Sequence, residues 1–300
     1  MADQQRGRAG ADLSTAGPRP AWSPSPLQLD RDRHRRRAGV RSAVVAALST
    51  VVFGVVLVLA ITSTPGWPRI QASFLVPSSA WAAVPDVARG LWLNLRIMVV
   101  CAAVVFVLGL SVAVLRTLRG AVFAPVRWLA TAYTDLFRGL PLILVLLLVG
   151  YGVPGLRLQG LPGDPVFYGC IALVLTYTAY VAEVLRAGIE SVHPSQRAAA
   201  RALGLGHAAT LRFVVLPQAV RRVLPALLND LVSLQKDSGL VSVLGVVDAI
   251  RAAQILTAKE GNFTPYLVAG AFFVLLTIPM ARVTDAVARR WGAPGTGGAV

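Results

Sequence analysis

Residues 198–217 read AAARALGLGHAATLRFVVLP and lie between two apolar stretches of the chain. The run opens with small alanines, which let a short helix pack close to another surface. Gly204 permits a backbone turn that a side chain would block, and Pro217 is expected to stop a second short helix before the next apolar stretch. The segment therefore predicts a helix-turn-helix knob rather than a membrane span.

The surroundings of this segment are too polar to cross a membrane. Glu190 is the only acidic residue between positions 187 and 222. The arginines of this region are Arg186, Arg197, Arg201, Arg212, Arg221 and Arg222. Because arginines between apolar segments mark the cytoplasmic side of a membrane protein, residues 188–217 are predicted to form a cytoplasmic loop.

The whole chain is more apolar than a soluble protein. It has 300 residues, of which 55% are hydrophobic and 14% charged, and its mean hydropathy is +0.64. Soluble domains carry about 25% charged residues, so the composition indicates an integral membrane protein and excludes a disordered chain, a collagen-like chain or a disulfide scaffold. The formal net charge is +15. The basic residues lie between apolar segments rather than on a folded basic face, so we expect no nucleic-acid partner.

Apolar runs long enough to cross the hydrocarbon core of a membrane recur along the chain. They are residues 40–61, 91–115, 128–149, 166–185, 224–247 and 266–281. The first run could also be the core of a signal peptide. Its length, the long tail before it and the lack of a small-x-small site before Pro65 favour a retained helix. An even number of crossings puts both termini in the cytoplasm, and the arginine-rich loops agree with this topology.

The flanking segments predict the rest of the organisation. Residues 1–38 are rich in Arg, Pro, Ser, Gln and Asp and are expected to be a disordered, basic cytoplasmic tail. The first transmembrane helix follows over 39–62. The segment 63–89 is rich in proline and tryptophan and is expected to be an external loop. Residues 291–300 are expected to be a second cytoplasmic tail.

The knob resembles the cytoplasmic loop of permease subunits of ABC importers, whose pattern is Glu-Ala-Ala, three residues, Gly, nine residues, Ile-x-Leu-Pro. The spacing from Gly204 to Pro217 fits without a gap, and Val214 replaces the isoleucine. Ala198 stands where the family has glutamate, so the contact that this glutamate supplies is missing or comes from elsewhere. The resemblance implies that the loop docks on the ATP-hydrolysing subunit through Ala198, Ala199, Ala200, Gly204, Val214, Leu216 and Pro217.

Further segments resemble the polar amino-acid branch of these permeases. They are 133–142 (YTDLFRGLPL), 180–189 (YVAEVLRAGI) and 233–245 (SLQKDSGLVSVLG), and they occur in the family's order. With the loop, they place the shared permease domain at residues 90–290, about two-thirds of the chain. The segments before residue 90 lie outside this shared core.

The resemblance implies the fold and the partners. The expected fold is an all-α integral membrane protein with about six transmembrane helices, comprising a five-helix ABC importer permease core and the coupling loop 188–217. Two permease subunits, identical or related, would form the pore in a bacterial plasma membrane and contact membrane lipid. ATP-binding cassette subunits would dock from the cytoplasm, and an extracytoplasmic solute-binding protein would deliver polar amino acids.

Ionisable residues inside the apolar runs are candidates for the substrate pathway. Such a group costs on the order of 2.5–3.5 kcal/mol at membrane depth and is rarely kept without a partner or a wet cavity. The candidates are Glu183, Asn229, Ser233, Lys236, Asp237 and Ser238, with Asp230 on the same polar stripe. The alternative is structural: Glu183 would pair with Arg186, and Lys236 with Asp237 would hold a loop or a subunit interface.

A helix kink is predicted at Arg138, Gly139 and Pro141, because a Gly-x-Pro step breaks a helix and frees carbonyl groups. Such a kink could lie beside a substrate path or serve packing alone. In the second case Asp135 and Arg138 could pair across one face of the helix.

Other classes of function are less consistent with the sequence. His34, His193 and His207 are scattered, so no metal site is predicted, and the chain has no Gly-x-x-x-x-Gly-Lys-Ser/Thr loop. We therefore expect no bound cofactor, with ATP and Mg²⁺ on the partner subunit. An ion-coupled secondary transporter with Glu183 and Asp237 as proton or sodium sites is the main alternative, and a membrane-embedded enzyme lacks a catalytic cluster.

Overall fold

Residues 25–118 and 120–290 are described by a computed structural model. They belong to two units, one ending at Trp67 and the other beginning at Pro68. The terminal tail predicted over 291–300 lies outside the described residues, as does most of the tail predicted over 1–38.

The first unit contains helix α1, Pro26–Thr62. Ser25 caps this helix: the Gln28 backbone N–H donates to Ser25 Oγ (3.3 Å), and the Ser25 backbone N–H donates to Gln28 Oε1 (3.1 Å). The fixed φ of Pro26 also suits the first helical turn. With this reciprocal cap, the helix begins at Pro26 rather than at residue 39, where the sequence predicted its start. The prediction of disorder is therefore wrong for residues 26–38. Residues 41–62 of α1 contain an 18-residue window with a mean hydropathy of 2.9 and are long enough to cross a membrane.

The second unit is a bundle of helices joined by short turns. Its helices are α2 (Trp67–Phe74), α3 (Pro77–Thr117), α4 (Ala124–Gly139), α5 (Leu142–Leu147), α6 (Val153–Gly155), α7 (Pro165–Glu190), α8 (Pro194–Ala202), α9 (His207–Thr210), α10 (Leu216–Asp237), α11 (Ala249–Glu260) and α12 (Thr264–Arg290). In the described part of the chain, four segments could each span a membrane as they stand. The number is six if each of two bent pairs counts as one span, which agrees with the prediction of about six.

The two bent spans differ from the single helices predicted for 128–149 and 224–247. The pair from α4 to α6 bends by 105°, and the segment 211–244 bends by 50° relative to α11. In the second case a 3₁₀ turn, Ser238–Leu244, ends at Gly245, whose φ of +84° suits glycine. Asp248 then caps α11 by accepting from the Arg251 backbone N–H at 2.8 Å.

The segment predicted as an external loop over 63–89 is mostly helical. It contains α2 and the first turns of α3, which extends well beyond the apolar run that predicted it. Here α2 packs on the start of α12, because Phe74 stacks on Phe263 and the Phe263 backbone N–H donates to the Ser73 carbonyl at 2.6 Å. Pro68 and Pro77 lie in the first turns of α2 and α3, a position that proline tolerates, and Pro85 lies inside α3.

The core of the second unit is built on α3 and α7. Buried apolar residues of these helices pack with residues from α5, α10 and the following 3₁₀ turn, including Cys101, Leu146, Leu173, Leu234 and Val241. A smaller cluster of Ala83, Val87, Ala249, Ala253 and Ala269 joins α3, α11 and α12. Small residues let helices approach closely where no aqueous hydrophobic effect drives them together.

Candidate functional site

The knob predicted by residues 198–217 is present. Helix α8 ends in a Schellman motif: the Gly204 backbone N–H donates to the Arg201 carbonyl (2.9 Å), and the Leu205 N–H donates to the Ala200 carbonyl (3.1 Å). Gly204 has a φ of +81°, a conformation that L side chains rarely adopt. The turn predicted at Gly204 is therefore confirmed.

The prediction that Pro217 stops a second short helix is wrong. A turn of π-helix, Leu211–Val215, joins α9 directly to α10, so no helix ends before Pro217. The Leu216 backbone N–H donates to the Leu211 carbonyl, five residues back. Pro217 lies in the first turn of α10, where its missing N–H costs little. It thus begins the long helix and does not stop the short one.

The tip of the knob exposes apolar side chains. Ala198 and Ala199 are exposed whereas Ala200 is buried, and Leu203 is 82% and Phe213 66% exposed. Val214 is half-buried, and Leu216 and Pro217 are exposed. A packed base supports this tip, because Val192, Val215 and Ala219 form a small buried cluster against which Ile189 packs. An exposed apolar tip on a packed base is typical of a protein interaction site.

Two arginines that flank the knob contact the end of α7. Arg197 Nη2 donates to the Ile189 carbonyl at 2.6 Å. Arg222, on α10, donates through Nη1 to Ser191, contacting both its carbonyl and its Oγ. Hydrogen bonds from charged donors are stronger than neutral ones. A displacement of the knob is therefore expected to reach α7 and α10 together.

A cluster of charged side chains surrounds Glu183, about two turns before the C-terminal end of α7. Glu183 Oε2 accepts from Arg116 Nη1 of α3 (2.6 Å), and Glu183 Oε1 accepts from Arg186 Nη2 (2.6 Å). Arg138 of α4 lies 3.7 Å from the same carboxylate. Arg186 also pairs with Glu190. Glu183 thus joins the ends of three helices, and its predicted pairing with Arg186 is confirmed.

The position of Glu183 explains how the membrane tolerates it. It lies seven residues before the end of α7, which corresponds to about 10 Å along the helix axis. Its side chain is 20% exposed and that of Arg116 10%. With both carboxylate oxygens engaged by arginines, Glu183 lies within an ion cluster near one end of the bundle, rather than standing alone in the middle of a span.

Glu183→Gln is expected to lower the free energy of unfolding by about 1–3 kcal/mol, because it leaves half-buried arginines without their shared counter-ion. The matched control is Glu190→Gln on the same helix. The Glu190 side chain is 59% exposed and, among the described residues, has Arg186 as its one ion-pair partner, so its loss is expected to cost about 0–1 kcal/mol. Thermal unfolding of both variants in the same detergent measures the difference. Equal midpoints would contradict the role of the cluster.

The kink predicted at Arg138, Gly139 and Pro141 is confirmed. The chain there is divided into two helices, α4 and α5, rather than bent within one helix. Leu140 is extended (φ −90°, ψ 136°), as expected for the residue before a proline, and Pro141 starts α5. Among the described residues Arg138 has no ion pair with Asp135, because it turns toward Glu183. The alternative pairing of Asp135 with Arg138 is therefore wrong.

The candidate pathway residues of α10 separate in the structure. Asn229 and Lys236 are exposed, Ser233 is half-buried, and Ser238 is buried with its hydroxyl donating to the Gln235 carbonyl at 2.7 Å. Asp237 accepts from the Tyr177 hydroxyl of α7 at 2.7 Å. Within the described residues, Lys236 and Asp237 form no ion pair. Their alternative role in holding a loop or a subunit interface stays a prediction, as does their contact with substrate.

Polar contacts that the sequence analysis missed hold α3 against α11. Asn94 Nδ2 donates to Asp248 Oδ2 (3.0 Å), and the Ala249 backbone N–H donates to Asn94 Oδ1 (3.2 Å). Gln235 is likewise buried and accepts from Thr277 at 2.7 Å. The sequence contains one signal for such contacts, a polar side chain inside an apolar run, because these side chains form hydrogen bonds between membrane helices. The partner of each could not be found from spacing, because Asn94 and Asp248 lie 154 positions apart.

Broken spans around a packed helical core, with an exposed knob tied to their ends, are typical of the membrane-embedded subunits of transporters. Residues 117–293, more than half of the chain, match the family described as the binding-protein-dependent transport system inner membrane component. The chain belongs to this family, whose members are transport permease subunits.

Individual relatives agree with this assignment. The chain is 36% identical over 208 residues to the arginine transport system permease protein ArtQ of Bacillus subtilis, covering 69% of this chain and 93% of the relative. It is 32% identical to the glutamate/aspartate import permease protein GltK of Escherichia coli O157:H7, covering 71% and 96% of the two chains.

Solved structures have the same fold. A chain in a crystal structure of an amino acid ABC transporter with histidines aligns with a TM-score of 0.64 and 33% identity, covering 69% of this chain and 94% of that one. An inward-facing structure of the MetNI methionine ABC transporter aligns with a TM-score of 0.56 over 68% of this chain and 95% of that one. At 22% identity, this second likeness is one of fold.

Proposed function

We propose that this chain is the permease subunit of an ABC importer that carries polar amino acids across a bacterial plasma membrane. The observation that carries the proposal is the knob of residues 198–217, whose Schellman turn at Gly204 presents an apolar tip beside the contacts of Arg197 and Arg222 with the end of α7. The names of the two relatives, which specify arginine, glutamate and aspartate, support polar amino acids as the substrate class.

The knob is proposed to dock on a separate ATP-binding cassette subunit. Exposed Leu203 and Phe213 supply apolar contact area, and the exposed alanines Ala198 and Ala199 allow a close approach. ATP and Mg²⁺ would bind that partner subunit and not this chain. The partner's closing motion would push the knob, and the contacts of Arg197 and Arg222 would pass the displacement to α7 and α10.

The remaining partners follow from the same proposal. The arginine-rich end of the bundle would face the cytoplasm, with both termini on that side. A second permease subunit, either a copy of this chain or a related one, would complete the pore, and membrane lipid would surround the pair. An extracytoplasmic solute-binding protein would deliver the amino acid to the opposite end.

The alternative of an ion-coupled secondary transporter has less support. It required Glu183 and Asp237 as proton or sodium sites. Glu183 is held by Arg116 and Arg186, and Asp237 accepts from Tyr177, so both carboxylates already have partners. The family assignment does not favour this alternative either.

Purification of the tagged chain from mild detergent, followed by mass spectrometry of the proteins that accompany it, tests the proposed assembly. We expect an ATP-binding cassette subunit in stoichiometric amount, and a co-purifying related permease would identify a heterodimeric pore. If the chain purified alone and still carried solute in liposomes, the secondary transporter would replace the importer.

A further inference from the structure

A cavity of about 250 Å³ lies between α3, α7 and α10. Of its eleven lining residues, nine are alanine, valine, leucine or phenylalanine, among them Phe106, Val181 and Leu228. The two polar lining residues are Tyr177 and Asp230. The cavity is therefore an apolar slot with a single carboxylate in its wall.

The carboxylate of Asp230 is incompletely satisfied. Its Oδ2 atom is buried, and no hydrogen-bond donor contacts it within the described residues. Asp230 also has no ion pair among these residues, whereas the other carboxylates near the core, Glu183, Asp237 and Asp248, each accept at least one hydrogen bond. An unpaired carboxylate at membrane depth is costly, so a residue kept in this state is expected to meet a positively charged partner.

The lining limits which cation can fit. The α-ammonium of an amino acid carries a carboxylate beside it, and that carboxylate would need a donor close to Asp230. The Tyr177 hydroxyl is the one polar hydrogen-bond donor of the described lining side chains, and it already donates to Asp237. A side chain with a cationic group at the end of an aliphatic stem needs no such donor. The apolar walls of the cavity would contact the stem, and the Asp230 carboxylate would pair with the positive charge.

We propose that the cavity binds the side chain of a basic amino acid, with Asp230 receiving its guanidinium or ammonium group. This inference rests on the proposed function and narrows its substrate class from polar to cationic amino acids. Tyr177 contributes an aromatic surface beside the stem, and Asp230 acts as the specificity-determining residue. The α-ammonium and α-carboxylate of the substrate lie outside the apolar slot.

The test is equilibrium binding of radiolabelled L-arginine, L-glutamine and L-glutamate to the purified complex of this chain with its ATPase subunit. We expect wild-type protein to bind arginine most tightly. Asp230→Asn is expected to weaken arginine binding about 10- to 100-fold, the range for losing a charge-assisted hydrogen bond, and to leave glutamine binding within about twofold. The control Asp285→Asn removes a carboxylate that is 54% exposed on α12 and is expected to change neither.

Other outcomes would overturn the inference. If Asp230→Asn weakened arginine and glutamine equally, Asp230 would hold the group common to all amino acids or support the fold. If it released a second permease subunit on size-exclusion chromatography, Asp230 would belong to a subunit interface. In both cases wild-type binding and ATP-driven uptake of amino acids would persist, so the proposed function would stand. Failure of wild-type protein to bind or carry any amino acid would instead contradict the proposed function.

Discussion

Gly204→Trp is expected to abolish ATP-driven uptake while leaving the protein inserted in the membrane. The φ of +81° at this position strains any L side chain by about 1–2 kcal/mol. A Cβ at Gly204 would have no neighbouring atom within 4 Å, so the indole would project from the knob into the space proposed for the ATPase subunit. The substitution therefore blocks docking without invading the core.

Gly160→Trp is the matched control for this prediction. Gly160 has a φ of +85° and equally open surroundings, but it lies in the turn before α7, at the end of that helix away from the knob. Uptake of labelled amino acid and capture of the ATPase subunit are measured for both variants. Uptake should be lost only for Gly204→Trp. Normal uptake in that variant would refute the docking assignment, and equal loss in both would indicate backbone strain alone.

The second large effect is expected from Gly90→Val, which should destabilise the helical bundle by about 3 kcal/mol, the upper range for overpacking a core. A Cβ at Gly90 would collide with the backbone of Asp248 and Ala249 at the start of α11. Backbone atoms cannot move aside as a flexible side chain can. The collision would therefore separate α3 from α11 and break the hydrogen bonds that Asn94 forms with Asp248 and Ala249.

Gly270→Val is the matched control for the effect of valine in a helix. Gly270 lies on α12, is exposed and has no atom within 4 Å of an added Cβ. Since glycine is a poorer helix former than valine, this variant is expected to be neutral or slightly stabilised. Thermal unfolding in detergent distinguishes the two. Equal midpoints for Gly90→Val and wild type would mean that α3 and α11 do not pack as closely as described.

Features that depend on neighbouring residues were predictable from the sequence. The turn at Gly204 follows from glycine's access to positive φ, and the break at Pro141 follows from the lack of an N–H and from the extended conformation that proline imposes on Leu140. The membrane crossings follow from run length and hydropathy. Each of these depends on short-range chemistry, which a local stretch of sequence contains.

Features that depend on distant residues were not predictable in the same way. Arg116 meets Glu183 across 67 positions, so its choice of partner depends on how α3 and α7 cross. The bend of 105° between α4 and the following helices depends on packing as well as on Pro141. At Pro217 a prediction from the local sequence was wrong. Proline is compatible with the start of a helix as well as with its end, and Pro217 lies at a start.

We propose above all that ATP hydrolysis on a partner subunit drives amino acid transport through this chain. The most direct test is uptake of radiolabelled amino acid into liposomes that contain the chain with its ATPase subunit, supplied with the solute-binding protein. We expect uptake to require ATP and the ATPase subunit and to persist when ionophores remove proton and sodium gradients. Uptake by the chain alone, driven by an ion gradient without ATP, would contradict the account.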